Sequence, residues 1–279
     1  MTMSAIPGLK KKLKSVRATG KLSKAMKTVS SAKLSRLSLA SRYYTLYAEQ
    51  YRFLYDDTGV TDVELPEVPP IVIVCGSNRG FCGGFNHEVL RYLQESVLPG
   101  DPACRLAVCG DEMIRLVTDS GLVPEAVFSF DDVPNFAECT PLLDWVGGVT
   151  RGISDYPVRI VYPAYKNTLT QIPSTQTLLL HPTRWVQEPD NFLWAPDRET
   201  VLETILEKGF RALVFGRVLE TALGAQAATL MTMRTAYDTA TEYTEELEGE
   251  IHRQRQKEVT ADVIETASER GHKGDDTSG

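Results

Sequence analysis

The sequence predicts an α/β protein: a small, doubly wound, Rossmann-like domain inserted between two long terminal helices that form an antiparallel coiled coil. Three observations carry this. Residues 1–48 hold eleven Lys/Arg and no acid, with Glu49 the first. No proline occurs after Pro196, and that stretch is dominated by helix formers. Between the two ends, short apolar runs alternate with amphipathic stretches, the pattern of a parallel sheet with crossover helices.

The first helix is expected from residue 4 to about residue 55. Ser4 can cap it, and Pro7 is tolerated only in a first turn. Ile6, Leu9, Leu13 and Val16 open one apolar register. A second runs through Leu22, Ala25, Val29, Ala32, Arg36, Leu39, Tyr43, Leu46, Gln50 and Phe53. Only Arg36 and Gln50 in that series are neither apolar nor small, so it is the expected coiled-coil seam. The register is expected to break between Val16 and Leu22, near Gly20.

Residues 57–70 are acidic and carry prolines, and read as a linker. Ile71–Cys75 is a continuous apolar run, as in a buried parallel strand. A glycine-rich loop and a helix over 86–97 follow. Arg105–Cys109 is the next strand, 111–120 a helix, 124–130 a strand and 137–154 a helix. Strands over 158–165 and 174–180 are expected to pair as a hairpin at one end of the sheet.

Helix returns at Asp197, an N-cap residue, and Gly271 is the expected C-cap. Leu230, Met233, Tyr237, Ala240, Thr244, Leu247 and Ile251 step by three and four, a second seam. It decays at Gln254 and Glu258, and Val259, Val263 and Ile264 resume an apolar face. At about 1.5 Å per residue the two helices are roughly 75 and 90 Å long, so they are expected to pair with each other and extend beyond a small domain. The resulting plan is 1–56 helix, 57–70 linker, 71–196 α/β foot domain, 197–270 helix and 271–279 polar tail.

Net charge is −7, divided into +11 over residues 1–48 and −18 over the remainder. The first segment therefore suits acidic partners, and the chain as a whole does not read as a nucleic-acid binder. No apolar stretch reaches the eighteen residues of a membrane span. The five cysteines form no CxxC and read as buried, reduced thiols, which suits a reducing compartment. The four histidines have no metal-ligand spacing. The glycine loop is neither GxGxxG nor a P-loop, so a tight strand-to-helix turn is its expected job. No GxSxG occurs, and Cys82 has only His87 near it in sequence.

Three segments together resemble the γ subunit of F-type ATP synthases. They are SVRATGKLSKAMK over 15–27, SNRGFCGGFN over 77–86 and RQKEVTADVIE over 255–265. They stand in the family's order and at its distances from the ends. The resemblance implies a central rotor shaft, with no catalytic site, cofactor, nucleotide or metal of its own. The implied partners are an α3β3 hexamer, the ε subunit and the c-ring. Membrane association is implied only through the complex, on the cytoplasmic face of a bacterial energy-transducing membrane.

By the same resemblance, Met26 faces a catalytic subunit, while Arg255 and Gln256 catch loops of the catalytic subunits and Thr260, Asp262 and Glu265 complete that contact segment. Phe192 and Trp194 are expected to touch the c-ring. Lys10, Lys11, Lys12, Lys14 and Arg17 are the cations expected to meet acidic loops of the catalytic subunits. Exposed charge pairs are worth about 0–1 kcal/mol each, which suits a sliding contact.

The chain departs from the family pattern at Ala195, where an acid is expected, and at Ala225 and Thr229, which replace a Glu and an Arg. Asp262 shortens a Glu. The tail is too polar for a tight apolar bearing and is expected to be disordered or to lie beyond one. A gamma paralogue that does not couple rotation, or a coiled-coil adaptor, stays open beside the rotor reading.

Overall fold

Ile71–Cys75 (β1) is buried at all five positions, as a strand covered on both faces must be. The computed structural model describes residues 6–49, 67–151, 153, 156–180 and 195–273, and these form a five-stranded sheet and five α-helices. The chain divides into two compact units, Thr28–Thr232 and the paired ends Met1–Lys27 with Met233–Gly279.

In the larger unit the strand order is β3-β2-β1-β4-β5, with β2 Arg105–Cys109, β3 Ala126–Phe128, β4 Tyr156–Asn167 and β5 Thr170–Leu180. The first four strands are mutually parallel, and β5 returns antiparallel to β4, as the hairpin pattern predicts. Asn167 closes the hairpin: its Oδ1 accepts from the Leu169 and Thr170 amides at 2.9 and 3.0 Å.

Residues of β1 alternate between two cores. Val72 and Val74 face α2 (Phe85–Tyr92) and α3 (Asp111–Asp119), through Val89, Met113 and Val117. Ile71 and Ile73 face α4 (Thr140–Thr150) and the last helix, α5 (Arg198–Lys273). The helix expected over 86–97 ends in a π-helical turn at Leu93–Val97, and the 137–154 helix opens with a 3-10 turn at Phe136–Cys139.

α5 contributes Phe210, Leu213, Val214, Phe215, Val218 and Leu219 to the second core. Fully burying side chains of this kind is worth about 1.5–3 kcal/mol each. Arg217 ties α5 to the sheet edge: its guanidinium lies 4.5 Å from the Tyr162 ring centroid and donates to Gln176 Oε1 at 2.7 Å. Glu220 accepts from the Tyr165 amide at 2.9 Å. Asp197 caps α5 as expected, accepting from the Thr200 amide at 2.9 Å.

The C-terminal boundary is a correction. α5 runs through Gly271 to Lys273, because one glycine costs only about 1 kcal/mol inside a helix and does not end it by itself. Ser4, residues 50–55 and residues 274–279 lie outside the described residues.

The seam of α1 (Ile6–Glu49) is a second correction. Leu22, Val29, Leu39, Tyr43 and Leu46 are 53–67 % exposed, and Ala25, Ala32 and Arg36 are exposed with them. The covered positions include Leu9, Leu13, Val16, Gly20, Ser23, Lys27, Ser30, Leu34, Leu37, Ser41 and Tyr44, an unbroken 3-4 repeat, with Ile6, Met26, Lys33 and Ala40 beside it. The register opened by Leu9 therefore does not break at Gly20. Small residues let helices approach closely: a Cβ on Gly20 would sit 3.3 Å from the Ala240 Cβ. In the larger unit Leu37 is fully buried, and the Tyr44 ring meets Phe215 edge-on at 4.6 Å.

The two registers separate by mutation. Leu37→Ala is expected to cost about 2–5 kcal/mol by denaturant unfolding, whereas Leu39→Ala is expected to stay within about 0.5 kcal/mol.

Candidate interaction surfaces

The 76–86 loop is a turn built by hydrogen bonds. Asn86 Oδ1 accepts from the Ser77 amide at 2.9 Å, and Asn86 Nδ2 donates to Ser77 Oγ at 2.7 Å. Ser77 Oγ lies 2.8 Å from the Arg79 carbonyl, to which it donates. Gly110 has φ 99°, and a Cβ there would meet the Gly76 carbonyl oxygen at 2.5 Å. The loop packs against α5: Phe85, Cys82 and Ala225 form one small core, and a Cβ on Gly224 would sit 3.0 Å from the Phe85 ring. The expected strand-to-helix turn is thus present, and it also seats α5, a role that spacing alone did not show.

Ala225 and Thr229 are both buried, and the Thr229 hydroxyl donates to the Ala225 carbonyl at 2.8 Å. They border a small cavity with Asn78 and Gln226, and Asn78 Oδ1 is buried there without a protein hydrogen bond.

In the smaller unit the helix segments run antiparallel. Arg17 pairs with Glu248, and Lys27 Nζ lies 4.8 Å from the centroid of the Tyr237 ring. The predicted α5 seam holds: Met233, Ala240, Leu247 and Ile251 are buried, with Leu230, Tyr237 and Thr244 half-buried. Beyond Gln254 the helix changes character. Every residue from Arg255 to Thr266 is exposed, including Val259, Val263 and Ile264 at 61–64 %.

The predicted contact residues separate accordingly. Arg255, Gln256, Thr260, Asp262 and Glu265 are exposed on this bare turn-after-turn segment, and the Thr260 hydroxyl donates to the Gln256 carbonyl at 2.8 Å. Lys10, Lys11, Lys12 and Lys14 are exposed on α1, Arg17 is exposed but already paired, and Met26 is half-buried. Phe192 and Trp194 lie outside the described residues, and Ala195 beside them is exposed. The outward apolar stripe of α1 belongs with these surfaces, but its heptad spacing disguised it as the internal seam.

The family model for ATP synthase matches residues 6–268. The chain belongs to the gamma family of F-type ATP synthases. It is 27 % identical over 288 residues to the ATP synthase gamma chain of Pelagibacter ubique, covering 95 % of this chain and 98 % of that one. It is 25 % identical over 297 residues to the gamma chain of Rhizobium johnstonii, with the same coverages. Among solved structures, a chain of the Euglena gracilis mitochondrial ATP synthase OSCP/F1/c-ring assembly has the same fold. Its TM-score is 0.75 at 19 % identity, covering 99 % of this chain and 97 % of that one. A rotor structure from the same organism gives a TM-score of 0.70 at 17 % identity, covering 91 % and 99 %. Among the described residues of this gamma-family chain, no helix is long and apolar enough to cross a membrane.

All five cysteines are free. Cys75 and Cys109 face each other in register on β1 and β2, with Cys139 in the same core. A hydrogen bond with Cys75 and then burial hold the Cys109 thiol well above its ordinary range. Burial pushes Cys139 up to about 12, and burial also raises Cys82 and Cys104. Raised values mean little thiolate, the reactive form, at neutral pH.

Two outcomes follow from this packing. A Cβ on Gly76 would lie 2.4 Å from Met113 Cβ, so Gly76→Ala is expected to destabilise by at least about 1–3 kcal/mol in thermal or denaturant unfolding. In a thiol titration of the native chain at pH 8, half-buried Cys104 is expected to react first, and the other four only on unfolding.

Proposed function

We propose that the chain is the non-catalytic central-stalk rotor subunit of a proton-translocating F-type ATP synthase. It couples c-ring rotation to conformational cycling of the catalytic β subunits of an α3β3 hexamer. The observation that carries this reading is the stretch of α5 from Arg255 to Thr266, exposed on every side while bearing Val259, Val263 and Ile264. An uncovered helix with apolar and charged residues around its whole circumference is suited to a surrounding partner. The acid-free α1 supports the same reading, with Lys10, Lys11, Lys12 and Lys14 free to meet acidic loops at long range.

In this reading Met26, Arg17, Arg255, Gln256, Thr260, Asp262 and Glu265 meet the α3β3 hexamer. Phe192 and Trp194 meet the c-ring, and the α/β layers meet ε. The chain is then peripheral on the cytoplasmic face of a bacterial energy-transducing membrane, held there by the complex. Catalysis of ATP turnover belongs to β.

Co-expression with the α and β subunits of the same source tests this, by size-exclusion chromatography and an ATPase assay. The expected result is a complex of α3β3 with one copy of this chain and multi-site turnover absent from α and β alone. A chain that elutes alone overturns the reading. One that binds without stimulating turnover is an adaptor or an uncoupled paralogue.

A further inference from the structure

Asp132 sits on the segment after β3 and is the meeting point of three parts of the larger unit. Its Oδ2 takes the Lys33 ammonium of α1 and, at 3.1 Å, the Arg79 Nε of the glycine loop. The Asp132 side chain is only 10 % exposed and Lys33 25 %, so this pair is far less screened than a surface ion pair.

The seat is rigid. Asn78 Nδ2 donates to the Phe130 carbonyl, and Ser129 Oγ to Asp111. The Asp131 amide donates to Glu138 Oε2 at 2.7 Å, and Asn135 with Glu138 forms a reciprocal capping box. Asp132 is therefore fixed to the sheet layer, and Lys33 is the helix side chain that reaches it.

We propose that the Lys33–Asp132 pair is a torque-bearing clasp that locks α1 to the α/β layers against sliding and axial rotation. The proposal rests on the rotor reading. Apolar packing is non-directional, so it resists separation of a helix more than its slippage. The α1 seam here places the small Ser30 and Ser41 on either side of Leu34 and Leu37, with Tyr44 packed against Phe215 beyond them. A part-buried ion pair on a hydrogen-bonded seat adds a charge-assisted, directional restraint to that packing. Lys33 and Asp132 are thus positioning residues for coupling and touch no nucleotide.

The test uses the whole ATP synthase assembled with this chain in membrane vesicles. It measures ATP hydrolysis, proton pumping per ATP hydrolysed and the melting temperature of the chain. Lys33→Gln and Asp132→Asn are expected to lower pumping per ATP to about half or less while hydrolysis continues, because each removes the one ion pair between α1 and Asp132, and the Arg79 pair that survives in Lys33→Gln does not reach α1. Lys33→Arg should restore it.

Asp101→Asn is the matched control. Its carboxylate is equally covered at 10 % and pairs with Arg159 on β4, so it joins parts of the α/β layers without involving α1. It is expected to lower the melting temperature and leave pumping per ATP unchanged. Normal pumping per ATP in Lys33→Gln and Asp132→Asn overturns the clasp while leaving the rotor reading intact. An equal loss in Asp101→Asn also overturns it, since the effect would then follow stability alone. A wild-type complex that hydrolyses ATP without pumping overturns the rotor reading and the clasp together.

Discussion

The packing of α5 across one face of the sheet is the contact on which the larger unit depends. β1, β2 and β4 turn Ile71, Ile73, Ala107, Cys109, Val158 and Ile160 to that face. α4 supplies Leu142, Leu143 and Val146 against it, and α5 completes it with the run from Phe210 to Leu219. Without α5 the part of this apolar face that α4 leaves uncovered would meet water, at about 25 cal/mol for each Å². The sheet therefore depends on a segment that begins at Phe210, 30 positions after its last strand ends at Leu180. The glycine loop must in turn be thin enough to let Gly224 and Ala225 approach Phe85 and Cys82.

Charge is handled separately from this core. Arg217 and Glu220 are held against the β4–β5 edge, and Asp132 gathers Lys33 and Arg79 on a hydrogen-bonded seat. Most cations of α1 are left in solvent, where they contribute to long-range attraction rather than stability. Ala225 and Thr229 bring no charge into the core, and Thr229 satisfies its hydroxyl within its own helix. Four of the five thiols are likewise shielded by burial, with Cys104 half-buried.

Much of this was legible in the residues. The strands Ile71–Cys75 and Arg105–Cys109 are continuous apolar runs that only a covered sheet can use. The Leu230-to-Ile251 seam, the Asp197 cap and the hairpin at the sheet edge follow from spacing and turn chemistry. The exposure of 255–266 was foreshadowed by decay of the seam at Gln254. The clasp at Asp132 was not legible, because Lys33, Arg79 and Asp132 are far apart in sequence and none belongs to a spacing pattern.

By itself, then, the sequence determined the order and type of the elements, the sharp turn of the glycine loop and the acid-free surface of the first helix. These depend on local backbone preference, hydrophobic period and composition. Only the tertiary structure decided which face of α1 turns inward. Two heptad registers coexist on that helix, and both satisfy the 3-4 repeat. The apolar-rich one, through Leu22, Val29 and Leu39, looks the stronger candidate until the opposing surface is known. The inward face is the one with Gly20, Ser23, Ser30 and Leu37. Close approach of backbones, as at Gly20 and Ala240, requires small side chains on both helices. Complementarity of that kind belongs to a pair of surfaces and cannot be read from one helix alone.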